Sequence, residues 1–327
     1  MPSGPWLERC SLVDLGVTLG SLRLKNPVMP ASGCFAHEYA DAMDLGRLGA
    51  LVTKSVTPKR RIGNPVPRVA ETDAGMLNSI GIPSNGLLYY VDHILPHYAG
   101  VPAPLVASVS ADTAEEFAAA CEALSLPGVA AIEANISCPN IEADGRAFAM
   151  SPRDTHRAIS EIKRSARVPI WAKLTPNVAD IAEIARAAEE AGADALVVAN
   201  TILGMAIDPE TRKPRLGNIM GGLSGPAIRP IMVRMVFQCA RAVRIPVIGC
   251  GGIMSAADAV EHLLAGATAV QVGTASFLDP AAMIGIIEGL AAYCKRHDVE
   301  RISDLTGAVR IDPQLSERWL RLAQQSG

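Results

Sequence analysis

Apolar runs of five or six residues recur along this chain, at 27–31, 50–54, 104–109, 131–136, 169–174, 195–200, 246–250 and 269–273. They lack the apolar/polar alternation of a half-exposed strand, so each reads as a strand buried on both faces, the pattern of a parallel sheet. Helical spacing of apolar positions appears between them, at 38–48, 86–97, 113–124, 152–166, 178–191, 229–243 and 255–265, and again at 281–297. Eight strands alternating with eight helices predict an α/β fold, a parallel (β/α)8 TIM barrel. Looser alternation around Gly16 and Gly20, over residues 12–24, predicts a β-hairpin leading into it.

Two segments nearly repeat one another: Ala191-Gly192-Ala193-Asp194-Ala195-Leu196-Val197-Val198 and Ala265-Gly266-Ala267-Thr268-Ala269-Val270-Gln271-Val272. In each, a glycine ends a helix and a buried strand follows directly. Links from helix to strand are short. Links from strand to helix are long at 55–85, 137–151 and 201–228. Long loops in a compact domain usually carry function, and these three leave the C-terminal ends of strands, where barrel enzymes build their sites. Residues from 299 onward read as a turn and a short helix. No linker divides the chain, which predicts one domain over residues 1–327.

Composition narrows the classes. Hydrophobic residues make up 49% of the 327, enough for a large core. The 30 basic and 33 acidic residues are interspersed, with no basic stripe to suit a nucleic acid. No apolar run reaches the ~18–20 residues of a membrane span. Met1-Pro2-Ser3-Gly4-Pro5-Trp6 has no basic segment followed by an apolar one, so a cytoplasmic protein is expected. The seven cysteines (Cys10, Cys34, Cys121, Cys138, Cys239, Cys250, Cys294) include no C-x-x-C pair. That spacing suits neither a disulfide framework, nor a zinc site, nor an iron–sulfur cluster. No metal is expected, and most of the thiols should be small buried hydrophobes.

One stretch changes character abruptly: Ala131-Ile132-Glu133-Ala134-Asn135-Ile136-Ser137-Cys138-Pro139-Asn140. Proline ends the strand, which leaves Cys138 on a loop just past it, between two asparagines. A thiol there can act as a nucleophile, act as a base, or be inert; its ordinary pKa near ~8.5 is low enough to take a proton from carbon if the site helps. Gly249-Cys250-Gly251-Gly252 and Gly273-Thr274 lie at the seventh and eighth strand ends, where glycines let backbone N–H groups approach a phosphate. Lys54 and Lys173 sit at equivalent strand ends and can hold an anion, stabilise developing negative charge, or form a Schiff base. Asn78, Asn135, Asn140 and Asn200, with Thr201, fall on the same face and suit a planar ring bearing N–H and C=O groups, such as a pyrimidine. The six histidines fall mainly in helical patterns, which predicts surface roles.

These motifs together resemble the class 1 dihydroorotate dehydrogenases. Asn135-Ile136-Ser137-Cys138-Pro139-Asn140 is similar to the family's active-site loop. Ala31-Ser32-Gly33, Thr53-Lys54-Ser55, residues 76–81, Lys173-Leu174-Thr175-Pro176-Asn177, Asn200-Thr201 and Gly221-Gly222-Leu223-Ser224-Gly225-Pro226 follow in family order. The likeness runs from about residue 12 to about residue 290. It implies an FMN-dependent barrel that oxidises dihydroorotate to orotate in pyrimidine synthesis. FMN would be held by Ser32, Lys54, Ser55, Asn135, Lys173, Gly225, Gly251, Gly252, Gly273 and Thr274, with backbone of Ala199. Lys54, Asn78, Asn135, Asn200 and Thr201 would hold the substrate, aided by backbone at Ser79, Ile80, Gly81 and Ile82. Cys138 would be the base that removes the C5 proton while hydride leaves C6 for flavin N5. Ser108 stands where the family often has an FMN-contacting asparagine, and a hydroxyl is shorter and cannot offer both amide functions.

Cysteine rather than serine at 138, and no N-terminal membrane-associating extension, point to class 1 over class 2. Asp208-Pro209-Glu210-Thr211-Arg212-Lys213-Pro214 and Asp144-Gly145-Arg146-Ala147-Phe148 resemble class 1B. That implies a homodimeric core passing electrons to a separate FAD and iron–sulfur subunit that uses NAD. The alternatives are a class 1A enzyme using fumarate, a related enzyme acting on another dihydropyrimidine, a flavin-free Schiff-base barrel, and a silent scaffold.

Overall fold

The structure is a computed structural model, and it describes residues 13–137, 147–312 and 314–315. Eight parallel strands form the expected sheet: β1 (Val28–Pro30), β2 (Leu51–Val52), β3 (Leu105–Val109), β4 (Val129–Ala134), β5 (Ile170–Lys173), β6 (Ala195–Val198), β7 (Val247–Cys250) and β8 (Ala269–Val272). Their hydrogen-bonded order is β1-β8-β7-β6-β5-β4-β3-β2. The two ends of that order meet where the Gly49 N–H donates to the Val28 carbonyl at 2.8 Å, which closes the ring. All but one of the strand residues are buried, which accounts for the missing alternation in the sequence.

Among the described residues, six helices of ten residues or more pack outside: α1 (Ala114–Ala123), α2 (Pro152–Ser165), α3 (Ile181–Glu190), α4 (Arg229–Ala242), α5 (Ala256–Ala265) and α6 (Ala282–Arg296). Thr113, Ser151, Asp180 and Ser255 cap four of them by accepting first-turn backbone N–H groups. At α5 the cap is reciprocal, since the Asp258 carboxylate also accepts from the Ser255 N–H at 2.9 Å.

The first two predicted helices do not form as α-helices. Residues 38–48 divide into 3-10 turns at His37–Asp41 and Leu45–Arg47, because the Asp44 side chain accepts from the Gly46 N–H and starts a new turn. Residues 86–97 pass through a short α turn, a π turn (Tyr90–Ile94) and a 3-10 turn (Leu95–Tyr98). Pro96 has no N–H to continue an α ladder there.

Two long connections also fold in a way their sequence does not announce. Parts of 55–85 and 201–228 pair as a four-stranded antiparallel sheet, in the order Ile202–Met205, Met220–Ser224, Gly75–Asn78, Val69–Thr72. This sheet rises from the C-terminal ends of β2 and β6. The expected N-terminal hairpin is present, Val17–Leu19 paired with Leu22–Leu24. Just before it, Asp14 is tied to the chain beyond α6: its N–H donates to Glu300 O at 2.9 Å, and its carbonyl accepts from the Ile302 N–H at 2.8 Å. Among the described residues no helix is long and apolar enough to cross a membrane.

Ring closure at Gly49 is tight. A Cβ there would stand 2.1 Å from the Asn26 carbonyl oxygen, a backbone atom of a buried residue. Gly49→Ala is therefore expected to cost about 1–3 kcal/mol, read as a lower urea midpoint; an unchanged midpoint contradicts this closure.

Candidate active site

The barrel interior is apolar until its C-terminal end, where four strands contribute one polar residue each: Ser108 from β3, Glu133 from β4, Lys173 from β5 and Gln271 from β8. All four are buried. A charged group in such a place must be paired and hydrogen-bonded. Lys173 Nζ lies 3.8 Å from Glu133 Oε1 and donates to Gln271 Oε1 at 3.3 Å and Ser32 Oγ at 3.2 Å. Gln271 Nε2 in turn donates to Glu133 Oε2 at 2.7 Å, across the barrel. Taking away one member of such a pair costs about 3–5 kcal/mol, so lysine and glutamate hold each other in place.

From Glu133 a chain of hydrogen bonds runs to the rim. Ser108 Oγ donates to Glu133 Oε1 at 2.9 Å and stands 2.8 Å from Ser55 Oγ. Asn135 Nδ2 donates to Ser55 Oγ at 3.2 Å, Ser137 Oγ to Asn135 Oδ1 at 2.6 Å, and Asn200 Nδ2 to Ser137 Oγ at 2.7 Å. The Thr201 N–H ends the chain on Asn200 Oδ1 at 2.8 Å. The expected residues Ser32, Ser55, Asn135, Lys173, Asn200 and Thr201 are thus brought into one network. Ser108 spends its hydroxyl inside it.

The glycine sets form a second feature at the ends of β7 and β8. The N–H groups of Gly251, Gly252, Gly273 and Thr274 have no acceptor among the described residues. Gly252 is buried, with φ at +76°, and a Cβ on it would meet the Arg229 backbone nitrogen at 2.7 Å. Unpartnered donors on two half-buried turns suit an anion, and a phosphate suits this position in a barrel. Ala199 is buried close by, its N–H donating to Cys250 O at 3.1 Å. Gly225 follows the rim sheet, which Thr274 joins to this cradle by a 2.9 Å bond from its hydroxyl to Ser224 Oγ.

The rim sheet carries the segment expected to meet a substrate. Asn78 ends the Gly75–Asn78 strand and donates through Nδ2 to Gly222 O at 3.2 Å. Ser79, Ile80, Gly81 and Ile82 follow. Asn64 brackets them, its Nδ2 donating to Ser79 Oγ at 2.8 Å and its N–H to Ile80 O at 3.0 Å. Ile82 has φ at +46°, an outlier for a β-branched residue, of the kind that gathers at ligand sites. Lys54 is not part of the network. It is exposed and makes no hydrogen bond among the described residues. Partial desolvation, and then the Arg68 guanidinium, lower its pKa, so an arriving anion would be favoured there.

Cys138 and Asn140 lie outside the described residues. The described thiols make poor bases. Burial pushes Cys34 up to about 12 although Lys173 opposes it, pushes Cys121 and Cys239 up to about 12, and raises Cys250 and Cys294. The expectation of surface histidines fails at one position. His262, on α5, is wholly buried, and its Nε2 lies 3.2 Å from Gly251 O. It braces the glycine turn from below, and its Nδ1 has no partner among the described residues. Burial lowers its pKa to about 4.

A profile for the family described as "Dihydroorotate dehydrogenase" matches residues 14–293. The chain belongs to the dihydroorotate dehydrogenase family. It is 45% identical over 303 residues to "Dihydroorotate dehydrogenase B (NAD(+)), catalytic subunit" of Bacteroides fragilis, covering 92% of this chain and all of the relative. Proteins of the same description from Pelobacter propionicus and Desulforamulus reducens are 48% and 47% identical, over 90% and 91% of this chain and 98% and 99% of theirs.

The dihydroorotate dehydrogenases serve pyrimidine biosynthesis and are flavin-dependent, and the residues here fit a flavin nucleotide. The unpartnered N–H groups at β7 and β8 suit its phosphate. The buried Lys173 suits a ring edge on which negative charge accumulates on reduction. Sequence reading had no role for Glu133, Gln271, Ser137 or His262. The first two were visible as single polar residues inside otherwise apolar strands, which buried strands carry only when those residues are paired.

The buried histidine has a consequence for acid stability. Above about pH 6.5, the ordinary histidine pKa, it is neutral in folded and unfolded chains alike. Between there and its folded value of about 4, only the unfolded chain takes up the proton, so stability falls by up to about 3 kcal/mol as pH drops. His262→Gln is expected to flatten that part of the pH profile in urea melts; an identical slope contradicts the assignment.

Proposed function

We propose that this chain is a single FMN-binding barrel domain that oxidises dihydroorotate to orotate as the catalytic subunit of a B-type enzyme. Support comes from family membership, from a buried ammonium at the barrel axis beside an unpartnered N–H cradle, and from a chain of amides reaching the rim. FMN, when bound, supplies the acceptor for the hydride that leaves C6.

The chain's own residues divide the remaining work. Lys54 receives the substrate carboxylate, and Arg68 adds positive charge nearby. Asn78, Asn135, Asn200 and Thr201 hold the ring, and backbone at Ser79, Ile80, Gly81 and Ile82 completes the seat. Ser32, Ser55 and Ala199 line the cofactor side, and Gly225, Gly251, Gly252, Gly273 and Thr274 take its phosphate end. Lys173 stabilises the negative charge that builds up beside it. Cys138 takes the proton from C5. No described cysteine is suited to that task, and Cys138 directly follows Ser137 of the amide chain.

The relatives' description names NAD and a catalytic subunit. We extend this to the present chain as a homodimeric, cytoplasmic core that passes electrons to a separate FAD and iron–sulfur subunit. Anaerobic mixing of the holoprotein with dihydroorotate should bleach its flavin, and NAD with that partner should restore the colour where fumarate does not. Persistent colour overturns the function, and rapid recovery with fumarate alone overturns the B-type assignment. Cys138→Ala should keep FMN and lose roughly 10²–10⁴ in flavin reduction rate at neutral pH. Cys138→Ser should recover mainly at high pH, because an alcohol is a much weaker acid. Parental rates for the alanine variant, or a flat profile for the serine variant, contradict the base assignment.

A further inference from the structure

We propose that Glu133 is a positioning residue that gives the amide chain its direction, so that Asn135 and Asn200 offer N–H donors, not carbonyls, to the ligand. The inference rests on the functional reading above and concerns how that site selects its substrate.

A serine hydroxyl can point either way along a chain, and a carboxamide can turn over. A carboxylate only accepts. Ser108 must therefore give its one hydrogen to Glu133, 2.9 Å away, and accept from Ser55 at 2.8 Å. Ser55, its hydrogen spent, accepts from Asn135 Nδ2. The Asn135 carbonyl then faces Ser137, which donates to it at 2.6 Å, and Ser137 accepts from Asn200 Nδ2 at 2.7 Å. The far end agrees, since the Thr201 N–H, which can only donate, meets Asn200 Oδ1 at 2.8 Å.

With an acceptor-only group at one end and a donor-only group at the other, reversal would create a conflict at both ends. Each carboxamide thus has its carbonyl engaged and one N–H unclaimed among the described residues. The site therefore favours ligands with ring carbonyl oxygens at these two positions and disfavours those presenting N–H there.

Ser108→Ala tests this while leaving the buried ion pair intact. Without Ser108, the forward chain has one unmet donor at Ser55 and the reversed chain has one conflict at Thr201, so neither direction is preferred. Glu133→Gln removes the acceptor-only end: with the new amide oxygen toward Ser108 its nitrogen meets Gln271 Nε2, and turned over it reverses the chain into the conflict at Thr201, so direction is again lost. The double variant Glu133→Gln with Gln271→Glu restores direction. The amide oxygen introduced at position 133 then accepts from Ser108, and the amide nitrogen beside it donates to the new carboxylate at position 271. That carboxylate faces Lys173.

The readout is the orotate dissociation constant of each FMN-loaded protein, taken from the ligand-induced change in flavin absorbance, with bound FMN measured alongside. Ser108→Ala and Glu133→Gln should each bind orotate roughly three- to tenfold more weakly, the scale of one hydrogen bond. The double variant should return to within about twofold of the parent, and all three should retain FMN, Glu133→Gln with a lower urea midpoint that the double variant recovers because it again faces Lys173 with a carboxylate. Parental affinity in both single variants overturns the inference. So does a double variant as weak as Glu133→Gln, since charge at 133 would then matter and direction would not. A parent holoprotein that binds no orotate overturns the functional reading and this inference with it.

Discussion

A lysine and a glutamate meet side by side in the dry centre of this barrel, and neither is tolerable there without the other. Lys173 and Glu133 come from adjacent strands, and Gln271, reaching across from β8, bonds to both. Their side chains converge only because the ring is closed, which depends on the 2.8 Å bond from Gly49 to Val28. The ion pair in turn limits what the surrounding residues can be. Ser32, Ser108 and Ser55 are buried and polar because each must satisfy a neighbour in the network.

Two further features depend on that centre. The rim sheet brings Asn78 and the segment after it to the end of the barrel that Lys173 faces, and Thr274 ties the sheet to the glycine turns. Among the described residues the N–H groups of the turns have no partner, while His262 holds the Gly251 carbonyl from beneath. A cation on the axis, an anion cradle at one side and a row of amides at the other suit a ligand that is anionic at one end and a planar heterocycle at the other. Flavin mononucleotide has that shape.

How much of this was legible in the sequence depended on range. The eight strands were readable because burial on both faces produces uninterrupted apolar runs, and the glycine sets because backbone geometry there excludes side chains. Lys173 and the asparagines were readable as polar residues at strand ends. The rim sheet was not, since the pairing of Met76–Ser224 and Leu77–Leu223 joins loops far apart in the chain and leaves no local signal. Residues 86–97 have helical spacing, but the α turn gives way to a π turn at Tyr90, and Pro96, which has no N–H, does not let an α ladder resume. Glu133 and Gln271 were visible yet had no assigned role, because each finds its partner across the barrel. His262 was expected at the surface because it is polar, yet its place three residues after Ala259 and beside Leu263 puts it on the buried face of α5, where Gly249 has no side chain to exclude it.

The account's central claim is that the buried ammonium and the glycine cradle together form one flavin nucleotide site. A crystal structure of the FMN-loaded protein with orotate tests it most directly. The account predicts the phosphate on the N–H groups of Gly251, Gly252, Gly273 and Thr274, with the pyrimidine edge of the ring system against Lys173 Nζ. A phosphate bound elsewhere, or a ring system that leaves Lys173 facing only Glu133, Gln271 and Ser32, would contradict it.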